Sequence, residues 1–107
     1  MKKVTFYKSM FGGANKPPRI ETATGWQSFY TITGTDIEIS LIFENRGNDW
    51  AITEEKSGMM VLCNFRTRAE AEKAVTMDLL RKINDRLPSL NYYITILNIE
   101  RGKRYAG

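Results

Sequence analysis

The chain has no histidine and a single cysteine, Cys63. Without histidine there is no Ser-His-Asp triad, no Cys–His nucleophilic pair and no imidazole to hold zinc or copper. One cysteine excludes an intrachain disulfide and a Cys-rich metal site, which fits a reducing compartment and points to the cytoplasm. No apolar run approaches the roughly 20 residues that span a bilayer, so a protein without membrane association is expected. Met1-Lys2-Lys3 opens as a signal peptide would, but Val4-Thr5-Phe6-Tyr7 meets Lys8 at once and no apolar h-region develops.

What remains is ordinary globular material. The 107 residues are 42% hydrophobic and 26% charged, which suits one domain over 1–107 that folds without disulfides or metal. The net charge of +4 is unevenly spread: residues 1–25 carry five basic side chains against one acidic, whereas residues 26–65 carry two against six. Both ends are basic and the middle is acidic.

Val4–Tyr7 has the content of a short strand guarded by lysines, as an edge strand would be. Gly12-Gly13 and Pro17-Pro18 predict a long loop over 9–25, of a length that is uncommon in compact domains unless it is functional. Trp26–Thr33 is a strand. Ile37, Ile39, Leu41 and Phe43 alternate with Glu38, Ser40, Ile42 and Glu44, which marks a half-buried strand. Trp50–Thr53 continues an antiparallel meander through polar turns. Met59–Phe65 is apolar on both faces and reads as a central strand.

Thr67-Arg68-Ala69-Glu70 matches the capping box that opens a helix. Val75, Leu79, Leu80, Ile83 and Leu87 form one apolar stripe at helical spacing, and Pro88 ends it. On the opposite face Asp78 with Lys82, and Arg81 with Asp85, stand at i,i+4. Tyr92–Ile99, rich in Tyr, Ile and Thr, reads as a last strand, and 101–107 as a flexible basic tail. The expected fold is therefore α+β: an antiparallel β-meander of about five to six strands packed against one long helix, in the order β-loop-ββββ-α-β.

Catalytic constellations are lacking. Glu54-Glu55 and Asp36/Glu38 are carboxylate pairs close in sequence that acid–base work would need, but Glu54 and Glu55 sit in a tight turn whose neighbours point to opposite sides, and no active-site role is expected of either pair. Gly12-Gly13-Ala14-Asn15-Lys16 lacks the spacing of a phosphate-binding loop and leads into prolines instead of a helix. Cys63, in a strand, reads as a small buried hydrophobe. No enzyme, metal or cofactor is expected.

Two binding readings follow. In the first, a non-enzymatic module blocks or adapts a larger protein partner through Asp49, Glu54, Glu55, Lys16 and Arg19. In the second, Lys2, Lys3, Lys8, Arg101, Lys103 and Arg104 contact nucleic-acid phosphates while Tyr105 stacks on bases. Strands apolar on both faces, at 59–65 and 92–99, would also suit a homodimer. The run Trp50-Ala51-Ile52-Thr53, then Ser57-Gly58, then Thr67–Ala71 resembles a pattern in small proteins of phages and plasmids. That resemblance implies an accessory protein of a mobile element that binds host machinery or nucleic acid.

Overall fold

The computed structural model describes residues 1–10 and 17–106, with side chains to residue 103. Its centre is β3 (Glu38–Asn45), where the alternation of the sequence becomes two buried faces. Ile39, Leu41 and Phe43 point to one side, and Ile42 to the other; the last three are fully buried. Around β3 lie β1 (Lys2–Met10), β2 (Arg19–Thr31), β4 (Trp50–Glu54) and β5 (Met60–Phe65). They form one antiparallel sheet in the order β1-β2-β3-β4-β5, so the meander is as expected. Register is fixed by pairs such as Trp26 with Phe43 and Phe43 with Ile52.

The first face of the sheet is covered by α1 (Arg68–Lys73) and α2 (Met77–Arg86). Ala71, Leu80 and Ile83 join Ile39, Leu41, Phe43 and Ile52 in one apolar core, with Val75, Leu79 and Leu87 packed against it. The predicted stripe thus covers the predicted face. The single long helix is instead two: the Thr76 hydroxyl accepts from the Leu79 N–H and opens α2 as a second capped helix. Thr67 accepts from the Glu70 N–H at 3.1 Å, while the Glu70 carboxylate takes the Arg66 N–H instead of the Thr67 N–H.

The larger correction lies at the C-terminus. Tyr92–Ile99 is not a strand but part of α3 (Asn91–Ala106), reached from α2 through a 3-10 turn at Leu87–Leu90. Pro88 sits in the first turn of that segment, where its missing N–H costs no hydrogen bond. Ile94 and Leu97 fall at helical spacing and are buried. They belong to the second face of the sheet, with Phe6, Ile42 and Ala51, outside the core beneath α2. Strand propensity gave way to this burial. Residues 101–106 of the expected basic tail are accordingly helical.

Two further expectations change. Within the span expected as a 9–25 loop, Ser9-Met10 and Arg19–Gly25 pair as β1 and β2, while residues 11–16 lie outside the described part. And Met59–Phe65 is no central strand: among the described residues β5 has a neighbour, β4, on one side only.

The sheet stays open, but it curls. At one end the Ser9 N–H donates to the Gly58 carbonyl at 2.8 Å, and the Ser9 hydroxyl donates to the Ser57 carbonyl at 2.8 Å. Gly58, at φ +70, is where three parts of the chain meet. A Cβ there would stand 2.7 Å from Leu97 Cδ1, 2.9 Å from the Tyr7 carbonyl and 3.0 Å from the Ser9 nitrogen. Glycine supplies both the left-handed turn and the space.

Candidate partner-binding groove

Among the described residues β5 ends the sheet, so every second backbone N–H and C=O along it points away from β4. Edge strands are usually guarded by lysine, proline or an inward charge, but Met60-Val61-Leu62-Cys63-Asn64-Phe65 has none of these. Its side chains alternate. Val61 and Phe65 pack against the core beneath α2, whereas Met60 and Leu62 lie on the other face and are 50% and 37% exposed. The β4–β5 ladder shifts register around Ile52, and Asn64 takes φ 69 with its N–H donated to the Asp49 carboxylate at 2.8 Å. The regular edge therefore ends before Asn64.

Beside this edge lies a groove of about 420 Å³, floored by Met59, Val61, Leu79, Ile83, Leu87 and Leu90. Lys82, Asp85 and Arg86 also line it, as polar groups of α2. The ion pairs anticipated along α2 do not form: Asp78 lies 3.8 Å from Arg81 instead. Among the described residues, neither Lys82 nor Arg86 is ion-paired. The groove is thus apolar at its base and lined by two cations and two carboxylates, since Glu54 of β4 borders it together with Asp85.

The carboxylates proposed from sequence to meet a partner are occupied within the fold. Asp49 accepts from Arg46 Nε at 2.7 Å, and this hydrogen bond holds its carboxyl below the ordinary value and raises the Arg46 guanidinium. Glu54 is buried and accepts the N–H groups of Lys56 and Ser57 at 2.7 and 2.8 Å, shaping the β4–β5 turn. Glu55 accepts from Gln27 at 2.9 Å and from Ser40 at 2.8 Å. Arg19 pairs with Glu21 at the surface, and Lys16 lies outside the described residues.

The basic set is also divided. Lys8 pairs with Glu44 at 3.1 Å, half-hidden, and Lys3 stands 5.9 Å from the Trp26 ring, which Arg68 also approaches at 5.3 Å. Arg101 donates to the Glu55 carbonyl at 2.7 Å, and Lys103 pairs with Glu100. Lys2 is the register partner of Gln27, whose amide donates to the Glu55 carboxylate, while Arg101 bonds the Glu55 carbonyl. The side chains of Arg104 and Tyr105 are outside the described part.

Sequence reasoning missed the groove because it placed β5 inside the sheet. The strand expected at Tyr92–Ile99 supplied β5 with a further neighbour, and the helix α3 that stands there removes it. Among the described residues no helix is long and apolar enough to cross a membrane, and no three acidic or cysteine side chains gather as a metal site. No protein-family model, curated protein or solved structure matches the chain, so the likeness to phage and plasmid proteins has no relative to rest on.

Proposed function

We propose that this chain is a small non-enzymatic binding module that engages a protein partner through the groove between β5 and α2. The observation that carries the reading is the coincidence of an unguarded strand edge, two exposed apolar side chains on it and an apolar trough beside it. An apolar surface at a free edge is costly in water and prone to unwanted pairing, so its persistence favours a partner that covers it. A photo-crosslinking residue at Lys82, on the groove rim, should capture a discrete protein in the native cell. The same residue at Thr22, exposed on β2, should not. Equal capture from both positions, or none from Lys82, counts against the groove.

A second reading, nucleic-acid binding, is favoured by one observation: Lys2 stands across from Gln27, and Gln27 and Arg101 both bond Glu55, which sets residues of the two basic ends on either side of one polar pair. Binding of this kind weakens steeply with salt, because neutralised phosphates release counterions. Titration of labelled single- and double-stranded oligonucleotides at low and moderate salt decides it, and no binding at low salt removes it.

A further inference from the structure

Three of the five methionines gather at the curled end of the sheet. Met10, Met59 and Met60 line a cavity of about 290 Å³ there, together with Lys8, Glu44 and Arg46. Met60 is the accessible one, 50% exposed, whereas Met10 and Met59 are half-buried. Beside it the Arg46 guanidinium is fixed, because the Asp49 carboxylate accepts from its Nε and Nη2 and from the Asn64 N–H as well. The nitrogen left over, Nη1, donates to Met60 Sδ at 3.6 Å. A thioether is a weak acceptor, so a charged donor is held against a partner that uses little of its strength. One oxygen added to that sulfur changes the match. A sulfoxide is polar, and its oxygen accepts from a cation far better than the sulfur does.

We propose that Met60 is an oxidation site for peroxides and that Arg46 receives its sulfoxide. The Met60 sulfur attacks one oxygen of hydrogen peroxide, and an S–O bond forms as the O–O bond breaks. The sulfur is oxidised from thioether to sulfoxide, and the peroxide is reduced to water as the proton of the transferred oxygen passes to the departing one. The new oxygen accepts from Arg46 Nη1 while Nε and Nη2 stay with Asp49. Methionine sulfoxide usually disrupts the packing around it, but here it forms at a half-open position with its donor in place. Met60 also lines the groove beside β5. Resting on the reading of that groove as the partner site, oxidation puts a polar group on a surface the partner covers and weakens its capture.

The test treats the full chain with hydrogen peroxide and then with dithiothreitol, which returns a sulfenic acid at the half-buried Cys63 to the thiol and leaves methionine sulfoxide in place. Peptide mass spectrometry should find Met60 converted at least as fast as Met1, which is 54% exposed, and ahead of Met10 and Met59. The NMR signal of the Arg46 Nε–H should shift when the wild type is oxidised and stay in place in Met60→Leu, a volume-conserving change, treated alike. The melting temperature should fall no further in the treated wild type than in treated Met60→Leu. The proposal is overturned if Met60 stays reduced while Met1 is converted, if the Arg46 signal does not move, or if the wild type loses more melting temperature than the variant. Crosslinking from Lys82 reads the consequence: peroxide should lower capture several-fold in the wild type and not in Met60→Leu. Unchanged capture removes the control over the partner and leaves the groove reading standing. No capture even from untreated cells removes the groove reading, and the oxidation site is still decided by the mass, NMR and melting measurements.

Discussion

Replacing Gly58 with alanine tests the joint that holds the curled sheet and α3 together. At φ +70 an L-residue carries a left-handed strain of roughly 1–2 kcal/mol. The added Cβ would also fall 2.7 Å from Leu97 Cδ1 and within 3.0 Å of two backbone atoms of β1. Relieving that overlap moves either a buried leucine or β1 itself, a cost of about 1–3 kcal/mol by analogy with overpacked cores. Displacing β1 also weakens the hydrogen bond from the Ser9 N–H to the Gly58 carbonyl, worth about 1 kcal/mol. The total is roughly 3–6 kcal/mol, a large part of the ~5–15 kcal/mol that folds a typical domain. Gly34 is the control: it has φ +80 with nothing within 4 Å of where a Cβ would stand, so Gly34→Ala should cost only the strain. Urea unfolding followed by the fluorescence of Trp26 and Trp50 gives both values. A difference of at least about 2 kcal/mol between the variants is expected, the sum of overlap and lost hydrogen bond. Equal costs would refute the packing of β1 and α3 onto the β4–β5 turn.

Other consequences are open to simpler measurements. Leu97→Ala should destabilise the protein by about 2–5 kcal/mol in the same assay, while Ile99→Ala, at an exposed position, should stay within about 0.5 kcal/mol; similar costs would favour an alternating strand over α3. Thr76→Ala should cost about 1 kcal/mol through loss of the α2 cap, and Thr76→Ser should restore most of it, both read by urea midpoint. Because the Asp49 carboxyl is held below its ordinary value of 3.8 by Arg46, its contribution to stability is fully present above that value and is lost as pH falls through the lowered one. Asp49→Asn should therefore melt below the wild type at neutral pH, with the gap closing only in acid below the ordinary carboxylate range; a constant gap would show that Asp49 acts without its charge.

The sequence made some parts of this fold readable and hid others for identifiable reasons. The alternation over Ile39–Phe43 and the stripe of Val75, Leu79, Leu80, Ile83 and Leu87 are long enough to state which faces meet, and they do meet. Arg19–Thr24 was hidden because a strand with little to bury lacks an apolar rhythm, and only pairing with β1 organises it. Tyr92–Ile99 was misleading because its β-branched and aromatic content suits a strand, whereas the spacing of Tyr93, Ile94, Leu97 and Arg101 suits a helix face. Tertiary burial of Ile94 and Leu97 decides between them. The candidate carboxylates were chosen for charge alone, and the fold spends Asp49 and Glu54 on local hydrogen bonds to backbone and Arg46. The groove depends on β5 being last in the sheet, a fact of topology that no single segment carries.

The most direct measurement is amide hydrogen exchange of the ¹⁵N-labelled chain, alone and together with the protein captured by crosslinking from Lys82. Covering of the groove predicts new protection concentrated in Met59–Cys63 and along α2 near Lys82 and Arg86. Protection centred on β1 or α3, or none at β5, would contradict the account.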